Sequence, residues 1–274
     1  MPTGIRYVGE PAHRIHQDHS PDNPSQIFSP KGLQSSSQYD TISVSYTAGL
    51  QAVAGPLKVP SAGVTPALHL EEQAMSTLVT KEAPEFTAQA VLANGTITEL
   101  SLASYRGKYV VVLFYPLDFT FVCPSEILAF DRQVAAFKAR NTEVIGVSVD
   151  SVYTHFAWRE TPVEKGGIGP IGFPLVADLD KSIARAYGVL LGEAVALRGL
   201  FLIDTHGVVR HAVVNDLPLG RSVDEALRTL EALQYTEEHG EVCPANWKPG
   251  DEAMAPTAAG VAKYLANNYA DTTG

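Results

Sequence analysis

The chain has 274 residues, 45% of them hydrophobic, enough for one or two domains with a full core. Its formal charge of −10 argues against a nucleic-acid binder, and no apolar run approaches the length of a membrane span. Two cysteines in so long a chain make no secreted disulfide scaffold; they fit a reducing compartment, such as the cytoplasm, and a catalytic use of sulfur.

Residues 1–74 are rich in Ser, Pro, Gly, Gln and Ala and hold no sustained periodic pattern apart from a brief stretch over Tyr39–Tyr46. They read as a mostly disordered extension. No apolar core follows a basic start, so a secretory peptide is not expected. Glu10, Asp18, Asp22 and Asp40 disfavour a transit peptide, which should be poor in acids. His13, His16 and His19 form an H-x2-H-x2-H run, but with no cysteine nearby chance explains it better than a metal. Met75 is a plausible alternative start of the native chain.

From Met75 on, the pattern is that of a packed domain. Asn94-Gly95 predicts a hairpin turn between short apolar segments. Val110–Tyr115 is a continuous apolar run rich in β-branched and aromatic residues, which predicts a buried strand that Pro116 stops. Ile127, Phe130, Val134 and Phe137 then recur at helical spacing, predicting a helix over 125–140. A strand over Val144–Val149, a short helix over His155–Glu160, a strand over Phe173–Ala177 and a helix over Ile183–Tyr187 follow. Leu200–Ile203 and Val208–Val214 flank a turn at Asp204–Gly207. An amphipathic helix spans Val223–Gln234, and Ala258–Tyr269 reads as a helical tail. This order predicts an α/β domain with a central mixed sheet flanked by helices. Gly167-Ile-Gly169-Pro-Ile-Gly172 matches G-x-G-x-x-G on paper, but no strand precedes it and its prolines block a helix, so it is a loop.

Cys123 falls at or just before the helix that opens after Pro124, a residue suited to a first helical turn. Free N–H groups and the helix dipole there favour a thiolate. A cysteine beside an apolar run is ordinarily a small buried hydrophobe. Here Pro116, Thr120 and Cys123 form a P-x3-T-x2-C array. In this array FYPLDFTFVCPSE (114–126) closely resembles the active-site motif of the peroxiredoxins, of the typical two-cysteine class (the alkyl hydroperoxide reductase C and thiol-specific antioxidant family). The resemblance runs from about Ser76 to about Ala270. It implies a thioredoxin-like fold, with a peroxidase domain over 75–235 and a C-terminal extension over 236–274.

The resemblance also assigns roles. Cys123 attacks the peroxide. Arg198, in ALRGLFLID, reaches that cysteine; its plain alternative is an exposed arginine at a strand start. Glu126 orders the arginines; alternatively it is only a first-turn acid favoured by the dipole. Arg221 joins that network or is a solvated residue before a helix. His155 and Trp158 are expected to pack, without a catalytic role. Gly166-Gly-Ile-Gly169 resembles the glycine loop of peroxide-sensitive members, and Tyr264-Leu265 stands where the family tail has Tyr-Phe.

Cys243 lies 243 − 123 = 120 residues after Cys123, which excludes a CxxC dithiol and every common zinc spacing. EVCPANWKPG (241–250) is similar to the family segment that carries the resolving cysteine, which bonds the first cysteine of another subunit. Sequence alone does not separate that bond from one within the chain. The implied substrates are hydrogen peroxide and alkyl hydroperoxides, and the implied reductant is thioredoxin or a similar dithiol. The implied assembly is a homodimer or a ring of dimers, with no metal, haem or flavin. A redox relay or chaperone-like protein with little peroxidase activity is the other reading. A thiol–disulfide oxidoreductase is disfavoured by the missing CxxC.

Overall fold

The computed structural model describes residues 77–270. The readings made on the histidine run at 13–19, on Tyr39–Tyr46 and on a start at Met75 lie outside the described residues.

β1 (Thr87–Val91) and β2 (Ile97–Ser101) pair antiparallel across the Asn94-Gly95 turn, where Gly95 takes φ +83°. β3 (Tyr109–Phe114) is buried at all six residues, as its unbroken apolar run requires. Then come α1 (Cys123–Arg132), α2 (Val134–Lys138), β4 (Thr142–Ser148), α3 (Val152–Glu160), β5 (Leu175–Ala177) and α4 (Ser182–Ala186). A two-stranded hairpin, β6 (Leu190–Leu191) with β7 (Val195–Ala196), precedes β8 (Arg198–Ile203) and β9 (Val209–Asn215). α5 (Val223–His239) and α6 (Ala258–Tyr269) complete the described chain.

The main sheet has seven strands in the order β2-β1-β5-β4-β3-β8-β9. β3, β4 and β5 run parallel; β1 meets β2 and β5, and β8 meets β3 and β9, antiparallel. This is the mixed sheet that the element order predicts. Alternation along β3 feeds two cores. Val110, Val112 and Phe114 join Ile145, Phe201 and Tyr187 on one face. Val111, Leu113 and Tyr115 join Ile127, Phe130 and Leu200 on the other. Each such buried side chain contributes roughly 1.5–3 kcal/mol. Cys123 lies in the second core.

Several boundaries differ from the sequence reading. The helix expected over 125–140 is two helices, broken at Gln133 (φ −105°, ψ 3°), where no Gly or Pro marks the break. α3 starts at Val152 rather than His155, because the Ser151 side chain accepts the Thr154 N–H and caps it there. α5 runs on past Gln234 to His239 and ends at Gly240 in the left-handed conformation, so the expected division after residue 235 falls inside a helix. The turn before β9 needs glycine for its backbone conformation. Gly207 has φ +87°, and the Arg106 guanidinium fills the space beside it.

Candidate active site

Cys123 is the first residue of α1 and is completely buried. The chain arrives there from β3 through the 116–122 loop. That loop is pinned by a polar cluster. The Asp118 N–H donates to Asp150 Oδ2 at 2.9 Å, and Tyr115 Oη donates to Asp118 Oδ1 at 2.8 Å. His155 Nδ1 faces Asp118 Oδ2 at 2.7 Å, and Nε2 faces the Val176 carbonyl at 3.1 Å. Both ring nitrogens thus have an oxygen partner, which fixes the ring between the cysteine's loop and β5. Burial raises the pKa of Asp118, opposed by its bond to His155. His155 thus holds the cysteine's loop as well as packing. Trp158 is wholly buried and donates to the Gly166 carbonyl at 3.0 Å, tying α3 to the glycine loop.

Thr120 and Arg198 converge on the sulfur. Thr120 Oγ1 lies 2.9 Å from Cys123 Sγ and 2.8 Å from the Leu117 carbonyl. Arg198 Nη1 lies 3.4 Å from Sγ and donates to Glu126 Oε2 at 2.6 Å. Its Nε donates to the Leu217 carbonyl at 2.6 Å. Arg198 is therefore no exposed residue at a strand start: it is 3% exposed. Glu126, one turn into α1, sits between two arginines, its Oε1 accepting from Arg221 Nε and Arg221 N–H, both at 2.8 Å. Arg221 Nη1 also donates to the carbonyls of Phe114 and Gly199, the ends of β3 and β8. Burial lowers the Arg221 pKa and Glu126 opposes this; an arginine so placed stays charged. Two guanidinium groups against one carboxylate leave a surplus positive charge beside Sγ.

A cleft of about 530 Å³ opens at this point, walled by Pro116, Leu117, Thr120, Phe121, Arg198 and Leu217. The fold thus gathers Pro116, Thr120, Cys123, Glu126 and Arg198 at one place, with Arg221 behind them. Cys243 is held elsewhere, against α5. Its Sγ lies 3.6 Å from the Ala232 carbonyl and 3.7 Å from Thr236 Oγ1, and both cysteines are free thiols. The sequence reading missed Asp118. The available signal was an acid set between Leu117 and Phe119 in an otherwise apolar stretch. Tyr264 is buried and Leu265 is 48% exposed, so the first of the two tail residues anchors α6, not the second.

Known proteins resemble this chain over most of its described residues. The model of the AhpC/TSA family matches residues 79–212. The model of the C-terminal domain of 1-Cys peroxiredoxin matches residues 232–267, a stretch that contains Cys243. Alkyl hydroperoxide reductase C of Helicobacter pylori strain J99 is 59% identical over 193 residues, covering 70% of this chain and 98% of that protein. Peroxiredoxin-2 of Mus musculus is 56% identical over 189 residues, covering 69% and 95%. The reduced 2-Cys peroxiredoxin of Plasmodium vivax superposes with a TM-score of 0.69 at 53% identity, covering 70% of this chain and all of that one.

Proposed function

The chain belongs to the AhpC/TSA family of peroxiredoxins, and we propose that Cys123 is the thiol with which it reduces hydrogen peroxide and alkyl hydroperoxides. The observation that carries this assignment is the convergence of Thr120 and Arg198 on one buried sulfur.

The Cys123 thiolate attacks one peroxide oxygen. The S–O bond forms as the O–O bond breaks, and the electron pair leaves on the second oxygen as hydroxide or alkoxide, which takes a proton to become water or an alcohol. Cysteine is oxidised to sulfenic acid and the peroxide is reduced. Thiolate formation gives limited advantage, because nucleophilicity falls with pKa. The remaining acceleration comes from donors aimed where charge develops. Arg198 holds its guanidinium beside the sulfur, fixed by Glu126 and the Leu217 carbonyl. The Thr120 hydroxyl has one proton to give. It donates to Sγ when the sulfur is a thiolate and to the Leu117 carbonyl otherwise. The Cys123 N–H, in the first turn of α1, has no acceptor within that helix. Pro116 shapes the cleft by which the peroxide enters.

Cys243 then condenses with the sulfenic acid, forming the disulfide and releasing water. Cys123 leads α1 and is fully buried, so its first turn must unwind before the sulfurs meet. The tail of a second subunit supplies Cys243 in a homodimer, and dimers build a ring. Thioredoxin or a similar dithiol protein reduces the disulfide. Two cysteines in a chain of this length suit a reducing compartment, and the cytoplasm is the compartment assigned. No helix of the described residues is long and apolar enough to cross a membrane.

The test is thioredoxin-coupled peroxide consumption by the wild type and Cys123→Ser. The variant is expected to fold, since the side chains differ little in volume, and to lose turnover entirely. Retained turnover would place the nucleophile elsewhere.

A further inference from the structure

The polar cluster beneath the 116–122 loop takes no part in the chemistry assigned to Cys123, yet Tyr115, Asp118, Ser148 and His155 are all buried in it. Asp118 is its centre. The backbone N–H donates to Asp150 Oδ2, Tyr115 Oη donates to Oδ1, and His155 Nδ1 faces Oδ2. Asp150 is held in turn by Ser148 Oγ, which donates to its Oδ2 at 2.7 Å. His155 reaches on to the Val176 carbonyl. One residue therefore anchors the loop to α3, to β5 and to the end of β4. Leaving any of these buried groups without its partner is costly.

The residue that follows is strained. Phe119 has φ +53°, the left-handed region that a bulky L side chain rarely enters. Its ring is 49% exposed and meets Trp158 with centroids 6.0 Å apart, a one-sided contact. Strained residues persist where their surroundings over-determine them. Here Asp118 fixes one side. On the other, Thr120 Oγ1 returns to the Leu117 carbonyl and to Cys123 Sγ. The left-handed residue is what turns the chain between the Asp118 clamp and the Thr120 donor.

We propose that Asp118 and His155 are positioning residues for Cys123: they hold a strained loop shut, and the strain at Phe119 favours its opening. This rests on Cys123 being the peroxide thiol. With the loop closed, Thr120 and Arg198 face the sulfur, as peroxide attack requires. With the loop open, the first turn of α1 unwinds, as the bond to Cys243 requires. Clamp and strain thus act in opposite directions on the two steps.

Hydrogen–deuterium exchange of the reduced full-length protein tests the clamp without using the peroxidase reaction. Mass spectrometry follows residues 116–126, with α5 as internal reference. Asp118→Ala is expected to exchange about tenfold faster over 116–126, the worth of a hydrogen bond to a charged group, with α5 unchanged. Phe119→Ala and Phe119→Asn both remove the ring, but asparagine tolerates the left-handed region. The asparagine variant is expected to exchange about threefold more slowly than the alanine variant. Phe119 is half exposed, so this pair carries the test should Asp118→Ala fail to fold. In stopped-flow kinetics Asp118→Ala is expected to slow peroxide attack and to speed disulfide formation. Slowing of both steps, unchanged exchange in Asp118→Ala, an equal rise in α5, or equal exchange in the two Phe119 variants overturns the proposal. Peroxide attack by the wild type at a residue other than Cys123 overturns the functional reading, on which the exchange results do not depend.

Discussion

The two cysteines occupy opposite kinds of surroundings. Cys123 is fully buried, and its neighbours are locked: Glu126 bridges two arginines, and those arginines reach three backbone carbonyls, of Phe114 on β3, Gly199 on β8 and Leu217 in the 216–221 loop. Cys243 is half-buried, and its polar contacts are two long sulfur distances to α5. Around Cys243 the chain is held by the buried Trp247 and a few polar contacts. Trp247 packs on Tyr235 with centroids 4.9 Å apart, Glu241 accepts from Tyr235 Oη at 2.8 Å, and Arg228 donates to the Trp247 carbonyl at 3.0 Å. One environment is preorganised for a reaction that needs fixed charges. The other holds its sulfur by long contacts to α5, neither of them to a charged group.

The contrast can be broken most severely at Glu126. Glu126→Gln leaves Arg198 and Arg221 buried without their counter-charge, and breaking a buried pair in this way costs roughly 3–5 kcal/mol. The urea midpoint is expected to fall accordingly, and peroxide attack to slow. An unchanged midpoint would mean that the cluster is not the rigid element described. Arg198→Met keeps most of the side chain's bulk and removes one donor from the sulfur. The second-order rate with hydrogen peroxide is expected to fall by about 10²–10³, the worth of one preorganised donor. Reduction of the preformed disulfide should keep its rate. Equal losses in both steps would assign Arg198 to folding alone.

Cys243→Ser probes the other side. Peroxide attack in a single turnover should stay within about twofold, since Cys243 makes no contact with the Cys123 cluster. Thioredoxin-supported recycling should stop. On non-reducing gels oxidised wild type should give a dimer band that this variant loses; oxidised wild type running only as monomer would exclude the intersubunit bond.

The smallest effect is expected at His211 on β9. Burial lowers its pKa below 6.5, opposed by Glu225 and reinforced by Arg228, two residues of α5. A histidine whose folded pKa is depressed binds its proton more readily when unfolded. Its contribution to stability is therefore present above the unfolded value of about 6.5 and is lost as pH falls below it. Tm should decline on acidification from pH 7 to pH 5, and His211→Gln should flatten that decline by a small amount. Identical slopes for the two proteins would remove His211 from the pH dependence of stability.

Much of this was legible in the chain. The apolar run ending at Pro116 announced β3 to within one residue at each end, because a strand buried on both faces leaves no polar positions. Pro124 and the helical spacing after it placed Cys123 at a helix start. The α6 bounds were read as they stand, and the structure adds the cap, the Thr257 side chain accepting the Gly260 N–H. Less regular features were hidden. The break at Gln133 has no local signal, and β6 and β7 are two residues each, too short for any period.

The residues themselves determined that a cysteine, a threonine and a proline would meet at a strand-to-helix junction, because all three lie within eight positions and local geometry suffices. The charges around that junction were decided only by tertiary structure. Arg198 is 75 positions from Cys123, Arg221 is 95 from Glu126, and His155 is 37 from Asp118. Each alone reads equally well as a solvated or packing residue. They become a buried electrostatic cluster because β8 pairs beside β3, bringing Arg198 to the end of β3, while Arg221 bonds the carbonyls that close both strands. Burial then turns exposed-type charges into fixed partners, since a charge taken out of water must find its counter-charge within the fold.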